Sequence, residues 1–308
     1  MQWLKQFTRS SAGCVGIELN ADSLRIAVRS ADGSTIEQTA VLQAETSSPS
    51  ASDWLALIEP FIQKHRLQNR LCNVVLSPAD YQLMLVEAPD VPDEEMREAV
   101  KWRIKDLINT PVEAAAIDIF ALPEDASKAG KKMLYVVISE LARIHEVISL
   151  VGDSGLQLNA IDIEVLALRN LLQLKSLERG AAIVRLKESG GDVSIYRDGN
   201  LYLSRHFHLD YAGGLLDDLP ADALALEVQR SFDYFERQMG QVPPGMLFIC
   251  GEGVGPEKIT DELKRSLSVP VEFLDLSHEA NIDLSVMDEG MVQLCLGAIG
   301  AAYRQEAA

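Results

Sequence analysis

The chain has 308 residues, of which 47% are hydrophobic and 24% charged, and its formal net charge is −18. This length indicates one large or two medium domains, and the composition is that of a globular protein. An acidic chain repels nucleic acid and anionic lipid, and the sequence contains no concentrated basic patch. We therefore do not expect a nucleic-acid partner.

The cysteines and the apolar segments indicate the compartment. The four cysteines lie far apart and form no CxxC pair, which favours buried thiols in a reducing compartment over disulfides or a zinc site. No stretch approaches the roughly 18 apolar residues that a membrane span requires. The N-terminal stretch lacks the continuous apolar run of a signal peptide. We expect a cytoplasmic protein without a transmembrane segment of its own.

A weak internal repeat is the most informative feature of the chain. Residues 14–40 and 182–207 share one plan: an alternating strand, a polar loop, a second strand, an Asp-Gly turn and a third strand. Asp-Gly between alternating runs is a strong hairpin signal, because glycine accepts the positive φ of tight turns. Two copies about half a chain apart predict two related domains that face each other, rather than a solenoid.

After each copy, helices and strands alternate, which predicts an α/β architecture. In the first half, "SDWLALIEPFIQKHRL" predicts a helix that Pro60 kinks, with one apolar face of Trp54, Leu57, Ile58, Phe61 and Ile62. In the second half, "PADALALEVQRSFDYFERQMG" predicts a helix whose inward residues are Leu224, Val228, Phe232, Phe235 and Met239. The last predicted helix, "MVQLCLGAIGAAYR", has small residues on several faces and should pack tightly.

Residues 77–148 have no second copy and are predicted to form an inserted subdomain. Its helix, "PDVPDEEMREAVKWRIKDLI", has a predicted buried stripe of Met96, Val100, Ile104 and Leu107 and predicted ion pairs Glu94–Arg97 and Glu98–Lys101. Two strands follow it. We predict a first domain over 13–180, which includes this insertion, and a second over 181–308, with the C-terminal helix packing back on the first domain.

Several stretches resemble one protein family. "VGIELNADSLRIAV" resembles the first phosphate-loop hairpin of the actin-like ATPase superfamily, and "DGNLYLSRHF" with "LALEVQRSFDYFE" resembles the second-domain hairpin and its helix. "EAPDVPDEEMREAVKWRIKDLINTPVEAAAIDIF" and "GLQLNAIDIEVLALRN" resemble the PilM branch of pilus-assembly proteins, and especially the MshI proteins of mannose-sensitive haemagglutinin (MSHA) pili. The similarity extends over nearly the whole chain.

The resemblance implies an actin-like (ribonuclease H-like) α/β fold of two duplicated domains. It further implies a cytoplasmic adapter of type IV pilus biogenesis that is peripheral at the inner membrane through its partners. PilM-like relatives bind the N-terminal cytoplasmic segment of a PilN-like bitopic inner-membrane protein, in a groove between the inserted subdomain and the first domain. They link the membrane platform to the assembly motor, so the assembly ATPase is a further candidate partner. Active relatives bind ATP between the two domains.

The first phosphate loop departs from the nucleotide-binding pattern that this resemblance implies. In active relatives it carries an Asp for the metal, a Gly for close approach of backbone amides, and a Lys. Here Glu18, Asn20, Ser23 and Arg25 occupy the corresponding stretch. Asn20 can adopt the left-handed conformation, although less freely than Gly. Asp22 would repel a polyphosphate, by several kcal/mol on a rough Coulomb estimate.

The second phosphate loop departs further. Arg185, Lys187 and Glu188 stand where an acidic residue and a glycine are expected, and Gly190 is displaced along the chain. We therefore predict a degenerate nucleotide site with no catalytic residue and no metal, and no cofactor or only weakly bound Mg-ATP. An active ATPase with weak ATP binding remains the alternative, and an actin-like small-molecule kinase ranks last because no catalytic carboxylate can be placed.

The resemblance also places candidate nucleotide contacts on the adenosine side. Glu227 and Arg230 occupy positions that contact ribose and base in relatives, although a solvated i,i+3 ion pair is the simpler explanation. Gly251 and Gly253 are retained, but Glu252 stands between them.

For the partner groove we select Tyr81, Leu83 and Leu85 on alternating positions of a strand, together with Trp102, which lies outside the buried helix stripe. His206 and His208 share a strand face, but no further ligands accompany them, so we predict no metal site.

Overall fold

The computed structural model describes residues 13–127, 130–175, 177–187, 190–210, 219–251 and 253–305. These residues form two compact units. The first contains the described residues up to Ser77, Val147–Leu171 and those from Leu276 onward; the second contains Pro78–Glu146 and Leu172–Asp275.

Strands and helices alternate along the described chain. The strands are β1 (Val15–Leu19), β2 (Ser23–Arg29), β3 (Ile36–Gln43), β4 (Leu71–Val75), β5 (Tyr81–Glu87), β6 (Ala115–Ala121), β7 (Met133–Glu140), β8 (Gln157–Asp162), β9 (Ala181–Lys187), β10 (Gly190–Arg197), β11 (Asn200–His208), β12 (Met246–Gly251) and β13 (Val271–Phe273). The helices are α1 (Ala51–His65), α2 (Asp93–Ile104), α3 (Leu141–Asp153), α4 (Glu164–Leu172), α5 (Ala221–Arg237), α6 (Asp261–Ser266), α7 (Glu289–Leu294) and α8 (Leu296–Ala302).

Each unit contains a five-stranded sheet, and the two sheets have the same plan. The strand order is β3-β2-β1-β4-β8 in the first and β11-β10-β9-β12-β13 in the second. In both, three strands pair antiparallel as a meander and the two that follow pair parallel. This identical order confirms the predicted duplication.

Helix α1 illustrates how local sequence signals set an element. Ser50 caps its N-terminus in a capping box with Asp53, and Arg66 ends it in the left-handed conformation. The helix continues through Pro60. Four of the five predicted apolar residues are buried, while Leu57 is half-buried.

The insertion forms an antiparallel sheet, β5-β7-β6, covered on one face by α2. Met96, Val100 and Ile104 are buried against this sheet as predicted, but the placement of Leu107 in the stripe was wrong. Leu107 is 58% exposed, because α2 ends at Ile104 and a turn follows in which the Leu107 amide donates to the Ile104 carbonyl.

One of the two predicted ion pairs on α2 forms. Lys101 Nζ lies 2.6 Å from Glu98 Oε1. Arg97 instead pairs with Asp118 of β6 at 2.7 Å, so the predicted Glu94–Arg97 pair was wrong. The sequence of the helix could not indicate that Asp118, on a neighbouring strand, would lie within reach of Arg97.

The last predicted helix is divided at Cys295 into α7 and α8, so the prediction of one continuous helix was wrong. The predicted tight packing is present. Helix α8 lies against the first sheet, and a Cβ on Gly16 of β1 would fall 1.8 Å from the Ala298 carbonyl oxygen. Asn73 Nδ2 donates to the Ala301 carbonyl at 2.8 Å, and Asn170 Nδ2 to that of Gly300 at 2.9 Å. Backbone contact without intervening side chains explains the small residues of this segment.

A buried carboxylate lies at the end of the same helix. Asp162 accepts from the Ile163 amide at 2.9 Å and from Arg304 Nε at 3.2 Å. Burial raises the pKa of Asp162, and Arg304 acts in the opposite direction. Among the helices of the described part of the chain, none combines the length and apolarity that crossing a membrane would require.

Candidate functional site

The β1–β2 hairpin, whose sequence resembles a phosphate loop, carries a buried carboxylate. Glu18 of β1 pairs directly across from Arg25 of β2, and Glu18 is only 3% exposed. It lies beside the start of α8, since a Cβ on Gly297 would fall 2.6 Å from Glu18 Oε2. Burial raises the pKa of the nearby Cys295 thiol to about 12, with Glu18 adding to this effect and Arg25 opposing it. Glu18 therefore lies under the start of α8, with Arg25 beside it on β2.

The tip of this hairpin is a closed turn. The Asn20 amide donates to the Ser23 carbonyl at 2.9 Å, and the Ala44 amide and Gln43 Nε2 donate to the Asp22 carbonyl at 2.7 and 3.1 Å. Asn20 is not among the residues with positive φ, so the turn does not use the left-handed conformation considered for it. Ser23 is buried, and the Asp22 side chain is exposed at the tip.

The second hairpin carries a partly exposed ionic network instead. Lys187 Nζ lies 2.8 Å from Asp192 Oδ2, and the other oxygen of Asp192 lies 3.1 Å from His206 Nδ1. Glu188 lies outside the described residues. Gly190 is a strand residue, and a Cβ added at this position would fall 2.4 Å from the Phe207 carbonyl oxygen. This glycine permits close strand pairing.

The adenosine-side candidates also have other partners. Glu227 of α5 accepts from Arg205 Nη2 of β11 at 2.7 Å and also forms the i,i+3 pair with Arg230, but its side chain is 15% exposed rather than solvated. Burial raises the pKa of Glu227, but the hydrogen bonds and charges of Arg205 and Arg230 outweigh it and leave that pKa below its usual value. Gly251 and Gly253 have φ of +131° and +67°, which only glycine adopts readily. Glu252 lies outside the described residues.

Taken separately, the two hairpins hold their charged groups in different ways. The acid that would serve the metal, Glu18, is packed against the Gly297 backbone, and the tip presents the carboxylate of Asp22. In the second hairpin, the charge of Lys187 is offset by Asp192 at 2.8 Å. Phosphate sites of this kind require open backbone amides and an available cation.

The structure separates the predicted groove residues of the insertion. On β5, Met84 and Val86 join the core beneath α2, so the alternate residues Tyr81, Leu83 and Leu85 lie on the opposite face of the sheet. Trp102 lies on the outer side of α2, 73% exposed, with Lys105 Nζ 5.4 Å from its ring centroid. The α2 core therefore lies between Trp102 and the three β5 residues.

One end of the insertion contains a polar cavity, which we call the insertion cleft. It was not predicted from the sequence. Its volume is about 510 Å³. Only Tyr81 of the predicted groove residues lines it. The lining residues are Ala79, Asp80, Tyr81, Gln82, Ile108, Asn109, Thr110, Ile138, Ser139, Glu140, Ala142, Arg143 and Glu146. They come from three separate segments of the chain. The only local sequence signal among them is the i,i+3 spacing of Arg143 and Glu146, which predicts that these two side chains pair.

Hydrogen bonds fix one wall of the insertion cleft. Arg143 donates from Nε to Asp80 Oδ2 and from Nη1 to Glu146 Oε2, both at 3.0 Å. Ser139 Oγ donates to the Asp80 carbonyl at 2.8 Å. Burial lowers the pKa of Arg143, but the two carboxylates outweigh it and raise that pKa above its usual value. Arg143 is thus held as a fixed cation.

The insertion packs on the edge strand β11 of the second sheet. The buried Tyr135 hydroxyl accepts from the Ser204 amide at 3.0 Å and donates to the Tyr202 carbonyl at 3.4 Å. The Tyr202 hydroxyl in turn donates to Asp125 Oδ1 at 2.9 Å, and Gln241 Nε2 donates to the Asp125 carbonyl at 2.5 Å. The second unit thus includes the insertion as part of one packed body.

The histidine pair of β11 has local partners. His206 lies beside Asp192, and His208 Nε2 lies 3.5 Å from Asp210 Oδ1. Within the described ranges no group of three or more His, Cys, Asp or Glu side chains is arranged to hold a metal.

Comparisons with known proteins identify the fold. No protein-family model matches the chain, and no curated protein matches it in sequence. Among solved structures, a chain of the PilM-PilN type IV pilus biogenesis complex is similar with a TM-score of 0.69 and 18% identity, over 95% of this chain and 97% of that one.

Two further structures are similar over most of their length. The cytoplasmic domain of EpsL, an inner membrane component of the type II secretion system of Vibrio cholerae, has a TM-score of 0.54 and 12% identity, over 91% of this chain and 98% of that one. A Bacteroides thetaiotaomicron protein of unknown function with an actin-like ATPase fold has a TM-score of 0.53 and 10% identity, over 90% and 98%. The chain therefore has the actin-like ATPase fold.

Proposed function

We propose that this chain is a non-enzymatic adapter of type IV pilus biogenesis. It binds the N-terminal cytoplasmic segment of a PilN-like bitopic inner-membrane protein through the inserted subdomain, and it links the membrane platform to the assembly motor. It acts in the cytoplasm, peripheral at the inner membrane through this partner, and the assembly ATPase is a second candidate partner.

The end-to-end likeness to a chain of the PilM-PilN complex carries this proposal. That likeness covers 95% of the chain, so it includes the insertion as well as both duplicated sheets. EpsL, whose cytoplasmic domain is also similar, is an inner membrane component of a secretion machine, which supports a location at such an assembly. The finer assignment to MSHA pili and MshI proteins rests on the sequence resemblance.

We propose further that the adapter works without a nucleotide. The burial of Glu18 under α8 and the pairing of Lys187 with Asp192 support this. Calorimetry with Mg-ATP is expected to give no saturable heat in the micromolar range. Micromolar binding with turnover would favour the alternative, an active actin-like ATPase.

Capture from membranes tests the adapter function. The full chain, tagged and immobilised, is incubated with detergent-solubilised inner membranes, and retained proteins are identified by mass spectrometry. We expect a bitopic protein with a short N-terminal cytoplasmic segment, and its synthetic N-terminal peptide should compete for retention. Retention that the peptide does not affect, or no bitopic protein at all, would contradict the proposal.

Trp102→Ala tests the exposed aromatic of α2. Exposed aromatics are frequent anchors at interfaces, so we expect capture to fall about tenfold while the thermal unfolding temperature stays unchanged. Tyr234→Ala, which removes another exposed aromatic of the same unit, is the matched control and should leave capture intact. Equal capture by both variants would remove Trp102 from the partner surface.

A further inference from the structure

The insertion cleft has an unbalanced charge. Its lining contains three carboxylates, Asp80, Glu140 and Glu146, and one cation, Arg143, so its formal charge is three negatives plus one positive, or −2. Two of the five N–H donors of Arg143 already bind carboxylates, so the positive charge of this residue is largely offset within the cleft wall.

The carboxylates differ in their access to solvent. The Asp80 and Arg143 side chains are 23% and 24% exposed, whereas the Glu146 side chain is 58% exposed. Glu140 is exposed as well and has no ion-pair partner among the residues that the structure describes. Glu140 and Glu146 are therefore the groups that an incoming cation meets first.

The remaining lining suits an extended peptide. Gln82, Asn109 and Thr110 offer amide and hydroxyl groups that can both donate to and accept from a peptide backbone. A volume of about 510 Å³ holds a few side chains and is too small for a folded domain.

We infer that the insertion cleft binds a cationic, extended segment of a partner, with Glu140 and Glu146 engaging its Lys or Arg side chains. This inference rests on the proposed function, because the partner segment there is the cytoplasmic tail of an inner-membrane protein. Cytoplasmic segments close to a membrane span carry an excess of Lys and Arg. Such a tail therefore complements both the cleft and the net charge of −18 of the whole chain.

An NMR titration with defined probes tests this chemistry. The probes are N-acetylated, C-amidated tri-arginine and its tri-glutamate counterpart, added to the isotopically labelled full chain. We expect tri-arginine to shift the amides of residues 79–82, 108–110 and 138–146 at low salt, and tri-glutamate to leave them unchanged. Shifts that spread over the acidic surface, or a preference for tri-glutamate, would overturn the inference.

Matched variants separate the cleft from the general acidity of the chain. Glu140→Gln with Glu146→Gln should weaken tri-arginine binding by about tenfold. Glu236→Gln with Glu262→Gln changes the net charge equally on exposed positions of α5 and α6 and should leave binding within about twofold. Circular dichroism checks that both pairs fold. Equal weakening by both pairs would show attraction by net charge alone and would refute a cleft site.

The membrane capture distinguishes failure of this inference from failure of the adapter function. If the bitopic protein is retained equally by the wild type and by the Glu140→Gln, Glu146→Gln variant, the adapter function stands and the cationic cleft is wrong. If tri-arginine binds the cleft but no bitopic protein is retained, the cleft chemistry stands and the proposed partner is wrong.

Discussion

The hairpins β1–β2 and β9–β10 occupy the same position in two sheets of identical order, yet their chemistry differs. In the first, Glu18 is buried beneath α8, and the charged residue exposed at the tip is Asp22. In the second, Lys187, Asp192 and His206 form a network that solvent reaches. Alternation and Asp-Gly turns maintain the shared strand order, but the element that packs over each hairpin decides whether its charged residues are accessible.

The meander edge strands, β3 in the first sheet and β11 in the second, also differ in the element that contacts them. The Ile36 amide at the start of β3 donates to the Ala280 carbonyl of its own unit at 3.2 Å. On β11 a side chain from the insertion, Tyr135, binds the Ser204 amide and the Tyr202 carbonyl. Exposed edge strands are prone to pair with other chains. On β3 and β11 some edge backbone groups are bound from outside the sheet, by the Ala280 segment on β3 and by the insertion on β11.

The largest expected effect tests whether α8 packs directly on β1 in the first unit. We expect Gly16→Ala to destabilise the chain by about 3 kcal/mol, because the added methyl group meets the Ala298 carbonyl and the helix must move. Urea unfolding followed by circular dichroism measures this. Gly152→Ala on α3, where a Cβ would have open space, should be neutral or slightly stabilising. A loss below about 1 kcal/mol for Gly16→Ala would contradict the close backbone approach.

Removing the Tyr135 hydroxyl, which binds the β11 edge, should lower the stability by a smaller amount. Tyr135→Phe leaves the half-buried Ser204 amide without its acceptor, which should cost about 2 kcal/mol. Hydrogen exchange should show faster exchange at Ser204, while the Ile36 amide of the other edge stays protected. Tyr234→Phe, at a 43% exposed position, is the control and should change neither quantity. Unaltered protection at Ser204 would argue against a hydroxyl bridge.

The two Asp-Gly turns give the smallest and most local effect. Asp32 accepts from Ser30 Oγ at 2.5 Å and from the Ser34 amide at 3.0 Å, and these bonds, that of Ser30 foremost, lower its pKa from 3.8 to about 2. Asp198 of the second turn instead adopts a positive φ of 50°. Since the pKa of Asp32 is lowered by folding, its stabilising contribution is present above pH 3.8 and is lost as the pH falls towards 2.

Carboxyl NMR shifts followed against pH test this assignment. Asp32 should titrate near pH 2, and Ser30→Ala should move its midpoint upward. A midpoint at 3.8 or above in the wild type would contradict the hydrogen-bonded turn.

Much of the fold follows from local patterns, and particular residues show where those patterns stop. The duplicated meanders, the caps of α1 and the buried stripe Met96, Val100 and Ile104 were predictable, because each depends on neighbours within one or two turns. Leu107 and Arg97 were not, since the end of α2 and the position of Asp118 on β6 decide their surroundings.

The candidate sites followed the sequence less closely. Tyr81, Leu83, Leu85 and Trp102 were each placed on the correct element, but their common surface depended on which side of the α2 core each side chain lies. The insertion cleft combines three segments that are tens of residues apart, so no window of sequence contains it.

The sequence by itself determined the two three-strand meanders, the two Asp-Gly turns and the presence of an insertion, because alternation and turn residues act over a few residues. Only the tertiary structure decided that α8 covers Glu18, that Asp192 offsets the charge of Lys187, and that Asp80, Arg143 and Glu146 form one wall of a cleft. Burial and charge pairing depend on distances between residues remote in sequence, which packing of the whole chain sets.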